Sequence, residues 1–242
     1  EHSDSLSVSS GVFSANHLPS PPGLTAVLRP YQLEGFRWLA FLRQHRLGGI
    51  LADDMGLGKT VQVLALLAQA IAEHEQRADH TEFAPFLVVA PTSVVGNWAQ
   101  EAARFVPGAK VVTITESTSK SGKSIAELVQ GAHLVLTSYA LFRLDEDGYT
   151  EFGNHVPENA EKSTSPHAGW GALILDEAQF VKNTKTRAWK VARALNAQVK
   201  LAITGTPMEN NLMELWALLA IVADGLFPSA RIFRDLYARP AE

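Results

Sequence analysis

The chain contains no cysteine, so it can form neither a disulfide nor a thiolate metal site. No run approaches the ~18 uninterrupted apolar residues of a membrane-spanning helix, which predicts a protein without a membrane partner. The first residues lack a basic stretch followed by an apolar one, so no secretory signal is expected. Together these absences suit a reducing, cytoplasmic setting. The eight histidines show no ligand spacing with carboxylates, which predicts no histidine-based metal site.

A large charge excess is also missing. The net charge is −4, from 21 basic and 25 acidic residues, and taken alone this argues against nucleic-acid binding. The distribution is uneven, however. Between Asp145 and His167 stand six acids and a single base, Lys162. Between Phe180 and Pro207 stand six bases (Lys182, Lys185, Arg187, Lys190, Arg193, Lys200) and no acid. That basic run is either a solvated helix face or a surface that faces phosphates.

What is present is a core. Of 242 residues, 46% are hydrophobic, enough for one large domain or one domain with appendages. The most informative stretch is Ile50 to Thr60. A short apolar run enters Gly56-Leu57-Gly58-Lys59-Thr60, and Val61, Leu64, Ala65, Ala68, Ile71 and Ala72 then recur at helical spacing. Glycines let main-chain N–H groups curl around an anion, and the following helix adds its N-terminal dipole. Lys59 would reach the β- and γ-phosphates, and the Thr60 hydroxyl would ligate Mg²⁺. The match to the general phosphate-loop pattern is partial, because Asp53 stands where the first glycine belongs.

Further apolar runs alternate with helical patterns: strands over 50–52, 86–90, 110–115, 133–137, 172–175 and 199–203, and helices over 94–105, 125–130, 138–143, 185–195 and from Leu212 to Val222. This predicts an α/β fold, a parallel sheet of about six or seven strands with helices on both faces. Residues 1–23 read as a flexible lead-in, 145–168 as an acidic insertion loop without apolar period, and 228–242 as the start of a truncated helical element. Trp38 and Trp216 read as packing residues, Trp98 as packing or nucleic-acid contact, and Met55 as a hydrophobic anchor.

In such sheets ligands bind beyond the carboxyl ends of the strands. Asp176-Glu177 follows the apolar run 172–175. A carboxylate there is placed to ligate Mg²⁺, and an adjacent acid to deprotonate an attacking water; two acids capping a strand exit is the plainer alternative. Gln32 offers a donor and an acceptor, a match for adenine, while a lone Gln early in a helix is normally just solvated.

Six groups then occur in order: Arg29-Pro30-Tyr31-Gln32 with Gly35; Asp53-Asp54-Met55-Gly56-Leu57-Gly58-Lys59-Thr60; Ala90-Pro91-Thr92-Ser93 with Asn97-Trp98; Leu136-Thr137-Ser138-Tyr139; Asp176-Glu177-Ala178-Gln179 with Lys182-Asn183; and Thr204-Gly205-Thr206-Pro207 with Asn210. Together they resemble the first RecA-like lobe of a bacterial-looking Swi/Snf-type ATPase of helicase superfamily two, over residues 24–227. The resemblance implies ATP and Mg²⁺ as cofactors. Arg29, Tyr31 and Gln32 would surround the base, and Asp54 to Thr60 would hold the phosphates. Thr60 and Asp176 would bind the metal, and Lys59, Asp176 and Glu177 would carry the chemistry. Pro91, Thr92 and Ser93, with Thr137, Ser138 and Tyr139, would touch the DNA backbone. Gln179, Thr204, Gly205 and Thr206 would couple the two sites, although position 179 is more often His in the family.

The implied activity is DNA-dependent ATP hydrolysis, driving translocation on double-stranded DNA and remodelling of DNA-bound protein complexes. It implies a cytoplasmic location, on the nucleoid if bacterial. Main-chain and hydroxyl contacts to phosphates need no strongly basic composition. The family also uses a second lobe that supplies arginine fingers. Only about 30 residues follow Asn210, so the implied state is a piece that hydrolyses ATP negligibly alone. An RNA helicase lobe and a non-hydrolysing docking module are the alternatives.

Overall fold

The computed structural model describes residues 19–54, 56–78, 81–154, 169–208 and 211–239. In chain order these form α1 (Pro30–Gln44), β1 (Gly49–Leu51), α2 (Lys59–Glu75), β2 (Phe86–Ala90), α3 (Thr92–Phe105) and β3 (Val111–Thr113). There follow α4 (Thr118–Ser121), α5 (Ile125–Val129), β4 (Leu134–Ser138), α6 (Tyr139–Leu144), α7 (Glu146–Asn154) and β5 (Ala172–Leu175). A 3₁₀ turn (Ala178–Val181) leads to α8 (Arg187–Ala194), β6 (Lys200–Ile203), α9 (Leu212–Val222), α10 (Ala230–Phe233) and a π turn (Arg234–Ala238).

The six strands make one parallel sheet in the order β1-β6-β5-β2-β4-β3. Burial on both faces explains their unbroken apolar sequences. In β2, Phe86, Val88 and Ala90 pack among Phe36, Leu64, Leu67 and Trp98 of α1 to α3. Leu87 and Val89 point the other way, among Phe142, Tyr149, Val191 and Leu218 of α6 to α9. The period-2 alternation of the strand thus assigns two cores, one per face.

The expected element boundaries shift by a residue or two at β1, β3, β4, β6 and α8. Two differences are larger. The Ser/Lys/Gly stretch after β3 contains the one-turn helix α4. The region expected as a loop from Asp145 to Ala168 begins as helix α7; residues 155–168 lie outside the described residues. Helix α7 shows no apolar period because few residues anchor it, and they find partners far away in sequence. Tyr149 is fully buried, and its carbonyl accepts the Trp170 indole N–H at 2.9 Å. Asp145, also buried, accepts from the Thr118 N–H and hydroxyl.

Trp38 packs only in part, its ring edge against Gly49 at the start of β1. It is 39% exposed, whereas Trp216 is buried and donates to the Phe227 carbonyl. Of the expected lead-in only residues 19–23 are described, and of the C-terminal element 228–239, where α10 and the π turn form.

Candidate active site

The phosphate loop leaves β1 at Leu51 and ends where α2 starts at Lys59. Gly56 and Gly58 both have left-handed backbones, φ 82° and 75°. Met55 lies outside the described residues. Lys59 Nζ donates to the carbonyls of Asp53 (2.7 Å) and Asp54 (2.9 Å). An ammonium has three N–H donors, so one remains for an anion. Asp53, the residue that breaks the general pattern, serves the local structure. Its carboxylate accepts from Gln62 Nε2 at 3.1 Å and ties the loop to α2. Gln62 is fully buried, and Gly35 makes room for it, since a Cβ at Gly35 would lie 1.8 Å from Gln62 Oε1.

The amino end of α1 is latched onto this loop. Gln32 Oε1 accepts the Arg29 N–H at 2.9 Å, and its Nε2 donates to the Leu57 carbonyl at 3.0 Å. A Cβ at Gly58 would stand 2.5 Å from that Nε2. The structure therefore brings Gln32 beside Leu57 and Gly58, with the Arg29 main chain held by the same side chain. Gln32 keeps one N–H and one lone pair for a base edge.

Asp176 and Glu177 stand at the carboxyl end of β5. The sheet order puts β6 between β5 and β1, so one strand separates the two acids from the loop after β1. Asp176 is buried; Oδ2 accepts the Trp98 indole N–H at 2.7 Å and Oδ1 the Glu177 N–H at 2.9 Å. Burial pushes its pKa above the usual value, with repulsion from Glu177 adding to it, while the two hydrogen bonds and the Lys59 charge pull it down. Glu101, one turn beyond Trp98 on α3, is also shifted up, first by burial and then by the Asp176 charge.

Glu177 sits in the left-handed region, φ 47° and ψ 57°, which costs an ordinary residue roughly 1–3 kcal/mol and clusters at functional sites. Its Oε2 accepts from Gln179 Nε2 at 2.8 Å. Gln179 Oε1 in turn accepts from the Thr204 hydroxyl at 3.2 Å, and that oxygen accepts the Thr206 N–H at 3.1 Å. A hydrogen-bond chain thus links the tips of β5 and β6. Gly205 lies between its last two members.

The residues expected at a DNA surface divide. Pro91 precedes α3, and Thr92 and Ser93 are exposed in its first turn. Thr137, Ser138 and Tyr139 are buried, contrary to expectation. Thr137 Oγ1 accepts from the Tyr149 hydroxyl at 2.9 Å, and Ser138 Oγ caps α6 through the Leu141 N–H. The Tyr139 hydroxyl donates to the Asp176 carbonyl at 2.9 Å. These side chains brace the strand tip internally. The partners of Thr137 and Tyr139 lie on α7 and just past β5, 12 and 37 positions along the chain, so local sequence gives no sign of them.

The basic run resolves toward the plainer reading. Lys182 pairs with Glu214, Arg187 with Glu146 through two 2.7 Å bonds, and Arg193 with Asp224. Lys200 donates to the Ala192 and Arg193 carbonyls at the end of α8. Lys185 and Lys190 are the exposed remainder.

The donor chemistry fits Mg²⁺. Asp176 and Thr60 offer hard oxygens. That suits an ion held mostly by phosphates and water, with one or two protein ligands.

Residues 31–242 match the SNF2-related domain. The chain belongs to that family. An ATPase core of the SWI2/SNF2 type from Sulfolobus solfataricus, solved in complex with double-stranded DNA, superposes with a TM-score of 0.73 at 32% identity, over 93% of this chain and 41% of that one. The chromatin-remodeling ATPase INO80 of Pyricularia oryzae is 37% identical over 93% of this chain and 11% of its own length. The Bacillus subtilis protein YwqA is 35% identical over 95% of this chain and 23% of its own length. The SNF2-related chain thus spans a minor part of the curated relatives it matches. Its sheet is that of a RecA-like lobe.

Three partners in the site escaped the sequence reading: Gln62 behind Asp53, Tyr149 behind Thr137, and Trp98 on Asp176. Only Trp98 carried a local signal, since it shares a helix face with Val94 and Ala102.

Proposed function

We propose that this SNF2-related chain is the ATP-binding lobe of a DNA-dependent ATPase that moves along double-stranded DNA and remodels protein–DNA complexes. The observation that carries this reading is the convergence at the strand tips. Lys59 lies in the phosphate loop, Asp176 and Glu177 lie beyond β5, and the Gln179–Thr204 chain joins them to β6.

In this reading Gln32 pairs with adenine, with Arg29 and Tyr31 beside the base. Asp54 to Lys59 cradle the phosphates through main-chain N–H groups and the Lys59 ammonium. Thr60 and Asp176 would hold Mg²⁺, whose charge would offset that of the phosphates. Glu177 accepts the proton of the attacking water. Thr92 and Ser93 at the start of α3 touch the DNA backbone, a contact that carries no sequence information. Gln179, Thr204, Gly205 and Thr206 report nucleotide state to the DNA side. The protein acts in the cytoplasm or on the nucleoid.

A second RecA-like lobe in the longer protein completes the site. An arginine finger contributes roughly 10³ to 10⁵ in rate, so the 242-residue chain binds ATP and hydrolyses it negligibly. Calorimetric titration with ATP and Mg²⁺ is expected to show binding that weakens at least tenfold in Lys59→Ala. No binding would overturn the nucleotide reading, and robust DNA-stimulated hydrolysis by this chain alone would overturn the half-site reading.

A further inference from the structure

The hydrogen bond from Trp98 to Asp176 joins residues 78 positions apart and is buried at both ends. Trp98 is 1% exposed and sits on α3, the helix whose first turn carries Thr92 and Ser93. A tryptophan here is more than filling. Indole N–H is a donor only: it cannot accept a bond, carries no charge and does not titrate. It can therefore fix one carboxylate oxygen without neutralising the anion. The other oxygen is held by the Glu177 N–H, also a neutral donor. A lysine or arginine at position 98 would hold the carboxylate as firmly but would cancel the charge that a cation needs.

We propose that Trp98 is a positioning residue that sets the Asp176 carboxylate for the divalent cation, a claim that rests on the nucleotide-binding reading above. With one lone pair on each oxygen taken by Trp98 and Glu177, the carboxylate cannot rotate, and the lone pairs left over are fixed in direction. Outer partners of this kind typically change metal affinity 10- to 100-fold when removed.

The test uses Mn²⁺ as a spectroscopic stand-in for Mg²⁺, with ADP and the whole chain. Bound Mn²⁺ is counted by electron paramagnetic resonance, and ADP binding without metal is measured in EDTA. Two variants are compared: Trp98→Phe, and a chain carrying benzothienylalanine at position 98, which keeps the ring shape and lacks the N–H. Both are expected to weaken Mn²⁺ in the ternary complex about tenfold. Metal-free ADP binding stays within about twofold, and the benzothienyl chain stays folded, its unfolding midpoint lowered by several degrees through the lost buried hydrogen bond. In an Asp176→Asn background, removing the Trp98 N–H is expected to cost nothing further, since coupled residues are non-additive.

Unchanged Mn²⁺ affinity in the benzothienyl chain overturns the proposal. So does an equal loss of metal-free ADP binding, which marks a purely structural role. A parent chain that binds neither ADP nor ADP-dependent Mn²⁺ overturns the nucleotide-site reading instead.

Discussion

The Tyr149 hydroxyl donates to Thr137 Oγ1 at 2.9 Å, with both side chains fully buried. This one bond ties α7 to the tip of β4. Burial holds the Tyr149 hydroxyl pKa above its usual value, so it stays protonated as a donor well above neutral pH. Tyr149→Phe removes the donor and keeps the ring that packs on Phe142 and Trp170. A loss of about 1 kcal/mol is expected, lowering the thermal midpoint by about 2–4 °C for a domain of this size. Calorimetry of the two proteins checks it, and an unchanged midpoint would show that Thr137 finds another donor.

Gly58→Ala is expected to damage the phosphate loop in two ways. The left-handed backbone at φ 75° disfavours any Cβ, and that Cβ would lie 2.5 Å from Gln32 Nε2. The Gln32 amide must then shift, which weakens its bond to the Leu57 carbonyl. Denaturant unfolding should show a loss of about 1–3 kcal/mol, and titration at least tenfold weaker ATP binding. Loss of stability with unaltered ATP affinity would remove Gln32 from the site.

Lys200 gives the domain a specific pH dependence. Burial pulls its pKa from 10.5 down to about 8, against a partial rise from Asp224. A folded-state pKa below the unfolded value means that the unfolded chain binds more protons between pH 8 and 10.5. Stability therefore rises with pH across that window, by about 3 kcal/mol in total. Below pH 8 the charged, buried ammonium is a standing cost. Urea midpoints at pH 7, 9 and 10.5 for the parent and Lys200→Met test this through their difference. That difference should move in favour of the parent as pH rises; a flat or falling difference contradicts it.

Much of this molecule was legible in the linear chain. The β2 and β5 runs could be bounded to the residue, because strands buried on both faces are apolar throughout and end where polar ligand-binding groups begin. The turn at Gly56-Leu57-Gly58 and the helix start at Lys59 were legible because left-handed backbone favours glycine and an apolar helical period follows at once. Helix α7 was not, since its anchors Tyr149 and Asp145 depend on Trp170, Thr137 and Thr118 rather than on one another.

The amino-acid sequence by itself determined the parallel sheet, the place of the phosphate loop and the pair of acids at a strand tip. Each follows from interactions within a few residues: apolar continuity, glycine backbone freedom and helix dipoles. Only the tertiary structure decided which candidates face outward. It turned Thr137 to Tyr139 inward, matched most of the basic run with acids or helix carbonyls, set β6 between the loop and the acids, and placed the Trp98 indole on Asp176. Those outcomes depend on hydrogen bonds and ion pairs between distant segments. Such pairings have no periodicity along the chain and form only when packing brings their partners within about 3 Å.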